Sequence, residues 1–226
     1  MKRKLLYLEA GLVLAPFVAL AIVWHRFPTR FPVHWNLQGE IDRWSSNRAE
    51  ILVLPFTTLG IILLLHIIPR LDPKLRATLG QNGRMGPAMR IICVALAVLL
   101  DLLFANQLTA AFGYQMVSAA VVTAALLIVF AIMGNYLGNL RPNYFIGIRT
   151  PWTLEDAGTW RATHRIGGRL MFGGSLALLL LQFFLNQGVI IILLASSTLL
   201  FCLWAVLYSW HHFRKFHAVR APTDVL

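Results

Sequence analysis

Residues 116–137, MVSAAVVTAALLIVFAIMGNYL, and residues 168–186, GRLMFGGSLALLLLQFFLN, enclose the polar segment GNLRPNYFIGIRTPWTLEDAGTWRATHR at 138–165. Each flank has about the 20 apolar residues that a helix needs to cross roughly 30 Å of hydrocarbon. The segment between them carries arginines, asparagines and prolines that a bilayer interior does not hold unpaired. A membrane span, a polar elbow at one face and a returning span is the arrangement this pattern dictates.

Four more runs of the same kind, Leu5–Trp24, Ile51–Ile68, Arg90–Ala111 and Gly188–Trp210, bring the expected spans to six. The 226-residue chain is 58% hydrophobic and only 13% charged, with a mean hydropathy of +0.68. A soluble domain is nearer 45–50% apolar, with about a quarter of its residues charged. The expected fold is all-α: a polytopic membrane helix bundle of about six transmembrane helices. Its organisation reads as an amino-terminal two-helix module (1–90) with a loop at 25–50, then a four-helix module (91–226) with a loop at 138–167. The basic start Lys2-Arg3-Lys4 imitates a signal peptide. The apolar stretch is too long for one, so a retained helix is expected.

The 20 Lys and Arg residues set the orientation. Sixteen fall on one side: Lys2, Arg3 and Lys4; Arg70, Lys74, Arg76, Arg84 and Arg90; Arg141, Arg149, Arg161, Arg165 and Arg169; Arg214, Lys215 and Arg220. Four, Arg26, Arg30, Arg43 and Arg48, fall on the other. The positive-inside rule then puts both termini and the 138–167 loop in the cytoplasm. Basic residues facing an anionic leaflet account for the net charge of +11 without any direct nucleic-acid partner. Cys93 and Cys202 sit in apolar runs with no CxxC or metal-ligand spacing, so neither a disulfide framework nor a zinc site is expected.

The outer loop begins with Pro alternating with bulky residues (27–32), which restricts the chain to extended or polyproline-like conformations. It continues P-V-H-W-N-L-Q-G-E-I-D-R-W (32–44), dense in hydrogen-bonding groups. Gly39 permits a left-handed turn that folds Asp42 back toward His34 and Asn36. The functional reading is a recognition surface built from Pro32, His34, Trp35, Asn36, Gly39 and Asp42. Against it stands a plain turn whose Trp35 and Trp44 belong to the interfacial aromatic belt. A metal held by His34 and Asp42 is short of ligands.

At the inner end of the fourth span, Asn135 and Asn139 share a helix face, beside Gly134 and Gly138 at a spacing that admits a second helix closely. Pro142 and Pro151 disfavour helix through Arg141–Leu154. Thr153, three residues before Asp156, resembles a cap opening a short helix on which Trp160 and His164 share a face. That helix is expected to reach the fifth span through Gly167-Gly168. Composition alone fits an interfacial elbow with snorkelling arginines as well as a basic, aromatic surface for an acidic partner or a phosphate. The first inner loop (69–89) reads as an interfacial connector with an amphipathic turn at Lys74–Leu79. Within the spans, Glu9 and His66 read as interfacial, whereas Asp101 sits mid-span, where an isolated charge is expensive.

The residue order G-N-Y-L-G-N-x-R-P-N-Y-F-I-G-I-R-T-P-W-T-L, followed by W-R-x-T-H-R-x-G-G, closely resembles the signature region of the SdpI immunity-protein family. The P-V-H-W-N-L-Q-G-E-I-D-R-W stretch resembles the amino-terminal module of that family's longer members. The resemblance implies a bacterial inner-membrane protein without a cofactor that protects its host from a secreted membrane-acting toxin. Some relatives also hold a cytoplasmic transcription repressor at the membrane. It carries over Asn135, Asn139, Pro142, Asn143, Gly147, Arg149, Thr150, Pro151, Trp152, Trp160, His164 and Arg165 as the signature positions. The expectation is therefore a binding and signalling protein rather than an enzyme. The rival is a small transporter or a lipid-phosphate enzyme using Asp101, the Asn135/Asn139 pair and the arginines. There is no HExxH, no useful nucleophile–base spacing and no internal repeat in its favour. Convergence of Asn135, Arg149 and His164 on one enclosed pocket would support that rival.

Overall fold

The computed structural model describes residues 2–74, 85–114 and 117–218. Its long helices are α1 (Lys2–Val23), α2 (Val53–Leu71), α3 (Met85–Ala111), α4 (Ala119–Leu137), α6 (Ala157–Leu181) and α7 (Gln187–Ala218), with the one-turn α5 (Pro151–Glu155) in the loop before α6. A two-stranded antiparallel hairpin, β1 (Phe31–Trp35) and β2 (Ile41–Ser45), interrupts the helices. The Lys74–Leu79 turn expected in the first inner loop falls outside the described residues beyond Lys74.

Five helices among the described residues are long and apolar enough to cross a membrane: Lys4–Arg26, Arg48–Ile68, Ala88–Ala111, Ala119–Leu137 and Gln187–Phe216. The chain is a multi-pass membrane protein. The span expected at Gly168–Asn186 belongs instead to α6, which starts at Ala157 and stops at Leu181. Its polar first half carries the W-R-x-T-H-R-x-G-G part of the signature segment. The helix runs unbroken through Gly167-Gly168, because those glycines sit where two neighbouring helices press closest. A Cβ on Gly168 would lie 2.7 Å from the Gly134 carbonyl oxygen, and one on Gly134 would lie 2.6 Å from the Phe172 nitrogen. At the far end Gln182 Nε2 donates to the Ala120 carbonyl at 3.2 Å. α6 thus lies antiparallel along nearly the whole of α4, the close approach that Gly134 and Gly138 predict.

The hairpin end has its own core, Leu20, Phe27, Phe31, Ile51 and Phe104. A second core, Val13, Ile62, Cys93 and Ala97, lies further along α1, α2 and α3. α3 joins the halves: it packs against α1 and α2 on one side and against α4 on the other. Chain direction places the hairpin at one end of the bundle and the 138–156 loop at the other. Both cysteines are free thiols.

Candidate functional site

The loop after α4 closes on itself around Asn143. This side chain is 1% exposed; its Nδ2 donates to the carbonyls of Arg141 (2.9 Å) and Ile146 (3.0 Å). Its Oδ1 accepts from the backbone N–H groups of Phe145 (2.9 Å) and Ile146 (2.7 Å). All its hydrogen-bonding capacity, two N–H donors and two acceptor lone pairs, is spent on the loop, so Asn143 is a staple rather than a ligand-binding side chain. Thr150 caps the one-turn α5. Its hydroxyl accepts from Thr153 N while the Thr153 hydroxyl accepts from Thr150 N, a reciprocal capping box with Pro151 in the first turn. The Thr150 hydroxyl also donates to Ser209 Oγ on α7 at 2.9 Å. Asp156, not the expected Thr153, then caps α6, the helix of Trp160 and His164, by accepting from Thr159 N.

Trp160 and His164, one turn apart, both point inward and are fully buried. Their rings stack with centroids 4.0 Å apart. Trp160 Nε1 donates to the Leu140 carbonyl at 2.8 Å. His164 Nδ1 lies 2.8 Å from the Trp160 carbonyl, and Nε2 lies 2.9 Å from the Ile148 N–H. A carbonyl can only accept and a backbone N–H can only donate, so the ring is the neutral Nδ1–H tautomer. Burial pushes its pKa down to about 4. With both nitrogens committed and no solvent access, His164 is not placed for acid–base chemistry. It clamps the loop to α6. Gly147 sits against this clamp with φ +111°, and a Cβ there would fall on His164 Nε2.

The loop is also tied to the first half of the chain. Asp72, just after α2 and fully buried, accepts from Tyr144 N through Oδ2 and from Lys74 N through Oδ1, each at 2.8 Å. Lys74 Nζ lies 4.3 Å from the centre of the Tyr144 ring. Asp72 is not among the residues the sequence singles out; it lies at the start of the 69–89 connector. Its signal was an Asp two residues before a Lys across a Pro, an Asx-turn pattern.

The other signature side chains lie toward the surface of this knot. Arg149 is exposed, with its guanidinium donating to the Tyr144 carbonyl at 2.7 Å. Pro151, Arg161 and Arg165 are exposed, Pro142 and Trp152 half-buried. Asn135 and Asn139 are exposed; Asn139 borders a cavity of about 640 Å³ whose walls include Leu65, Met89, Leu137, Gly147 and Met171, with Arg141 at its polar side. Asn135, Arg149 and His164 do not converge: neither Asn135, Arg149 nor His164 lines that cavity.

At the other end the hairpin replaces the expected extended loop. Gly39, at φ +82°, makes the turn, and Asn36 Oδ1 accepts from the N–H groups of Gln38 (3.0 Å) and Glu40 (2.9 Å). Asn36 therefore builds the turn instead of meeting Asp42. His34 and Asp42 do pair across the strands, Nδ1 to Oδ1 at 2.6 Å, both well exposed. The Pro32 carbonyl accepts from the buried Gln107 Nε2 at 3.2 Å, which fastens the hairpin to α3. Trp35 is half-buried, whereas Trp44 is exposed with Arg30 stacked over it at 5.5 Å. Asp101 stands alone in α3, with its Oδ1 buried and without a hydrogen-bond partner among the described residues.

Comparison with known proteins falls on the same two ends. Residues 11–59, which contain the hairpin, match a domain of unknown function (DUF1648). Immunity protein SdpI of Bacillus subtilis (strain 168) is 25% identical over 204 residues, covering 90% of this chain and 98% of that protein. No solved structure matches the chain. Residues 139–209, which build the knot and its α7 support, match the SdpI/YfhL protein family.

Proposed function

We propose that the chain is a bacterial membrane immunity and signalling protein that gives resistance to a secreted membrane-acting toxin. The carrying observation is its end-to-end similarity to an immunity protein, 98% of which this chain covers. The spread of the signature residues adds support. Those that are buried, Asn143, Thr150, Trp160 and His164, spend their polar atoms holding a loop. Those that are exposed, Arg149, Pro151 and Arg165, lie at the protein surface and outside the neighbouring cavity, as docking to a partner requires.

With the positive-inside orientation, the hairpin faces outward and receives the toxin, and the knot faces the cytoplasm and presents Arg149, Trp152 and Arg165 to a partner such as a transcription repressor. The Gln107–Pro32 and Asp72–Tyr144 contacts connect hairpin and knot to the shared helices α2 and α3. The test is expression in a toxin-sensitive strain of the parent chain and of Trp152→Ala and Arg165→Glu variants. Survival with the parent, reduced or unlinked from signalling in the variants, supports the reading. No survival with the parent, and no effect of either variant on any readout, rejects it.

A further inference from the structure

Glu9 on α1, His66 on α2 and Cys93 on α3 are far apart in sequence, yet the three helices bring one ligand atom of each within 4.8 Å of the others. Glu9 is 2% exposed and Cys93 fully buried. Both carboxylate oxygens of Glu9 are buried without a hydrogen-bond partner among the described residues. Oε1 lies 3.3 Å from His66 Nε2, too poorly aimed to be a hydrogen bond. An uncompensated carboxylate at such a depth is costly and asks for a cation.

The histidine is already arranged for one. His66 Nδ1 lies 2.9 Å from the Ile62 carbonyl and must donate to it. That fixes the tautomer and leaves the Nε2 lone pair facing Glu9, the usual second contact of a metal-bound imidazole. Four ligands around a zinc-sized ion at about 2.0–2.3 Å stand about 3.3–3.8 Å from one another. The Glu9–His66 separation already meets this, and closing the remainder needs side-chain movements of about an ångström. His66 is about one-third exposed, 33%, so the cluster is not sealed inside the bundle.

We propose that Glu9, His66 and Cys93 form a binding site for a divalent transition-metal ion of zinc type, with a fourth position open to water or another ligand. One carboxylate, one imidazole and one thiolate is a mixed hard and soft set that suits zinc or its cobalt substitute over magnesium or calcium. Binding takes the thiol proton from Cys93 and releases it to solvent.

The experiment uses the purified full chain in detergent, without a polyhistidine tag, loaded with Zn²⁺ or Co²⁺ and dialysed. The expected result is about one retained ion per chain and, with Co²⁺, a thiolate-to-cobalt charge-transfer band. Cys93→Ser should remove the band and Glu9→Gln should reduce retention, while Cys202→Ser keeps both. Parent protein that retains no metal and gives no band overturns the proposal, and would leave a plain Glu9–His66 ion pair. Metal retained without a thiolate band, or retained equally by Cys93→Ser, overturns it too. The parent spectrum stands by itself should a variant fail to fold.

Discussion

Replacing Gly147 with alanine strikes the clamp at its tightest point. Two separate costs follow. A non-glycine residue held at φ +111° is strained by about 1–3 kcal/mol. The new methyl also displaces His164 Nε2 from the Ile148 N–H. The ring has nowhere to go, since it is stacked on Trp160 and bonded through Nδ1. An unpaired, poorly solvated N–H costs about 1–3 kcal/mol more, for a total of about 2–6 kcal/mol. Gly113 provides the control: its φ is +85°, and a Cβ there meets nothing within 4 Å. Gly113→Ala therefore carries strain alone. The assay is thermal unfolding of the purified protein in detergent, with limited proteolysis of the 141–155 loop alongside. At about 2–4 °C per kcal/mol for a chain of this size, Gly147→Ala should melt several degrees below Gly113→Ala and be cut faster in the loop. Equal melting points and equal cutting would show that the His164–Ile148 contact does not hold the loop.

Three further outcomes are expected. His164 is buried and neutral with its pKa lowered to about 4 from 6.5, so the unfolded chain takes up a proton that the folded chain refuses. Its effect on stability is nil above pH 6.5 and becomes a loss as pH falls toward about 4, in total about 3 kcal/mol; melting curves across that window should show the slope in the parent and not in His164→Gln. Asp72→Ala removes the acceptor for two backbone N–H groups, at about 1–3 kcal/mol, and should speed amide exchange at Tyr144 and Lys74 while leaving the hairpin unchanged. In intact cells, on a Cys202→Ser background, a membrane-impermeant maleimide should label Asn36→Cys and not Arg149→Cys; the reverse pattern would invert the proposed orientation.

What the sequence discloses follows from the range of the interactions involved. The apolar runs announce five spans directly, because length and hydropathy are local properties. Gly134 and Gly138 foretell the helix approach, and Gly39 foretells the turn that brings His34 to Asp42. Trp160 and His164 share a face as their spacing requires. The misreadings have physical reasons as well. Five-residue strands around a Pro-rich entry give too short an alternation to announce β1 and β2. Gly167-Gly168 looks like a helix boundary, yet it is helical interior, where the missing side chains let α4 and α7 press in. Asp156, rather than Thr153, caps the helix of Trp160 and His164, because Thr153 is already taken up in the one-turn α5. The rest is long-range. The Asp72–Tyr144 contact joins residues 72 apart, Gln107–Pro32 joins residues 75 apart, and the Glu9, His66 and Cys93 cluster joins three helices. No local pattern encodes any of these. Asn143 was legible as a signature residue but not as a buried one, since a staple and a ligand contact both ask for an amide in a loop.

The most direct measurement is the toxin dose that halves survival of a sensitive bacterium, with and without this chain in its membrane, across a panel of secreted membrane-active peptides. The account predicts that the full chain raises that dose for at least one peptide, and that His34→Ala with Asp42→Ala, at equal membrane abundance, lowers it again. Survival curves that coincide with the empty-vector control for every peptide would contradict it.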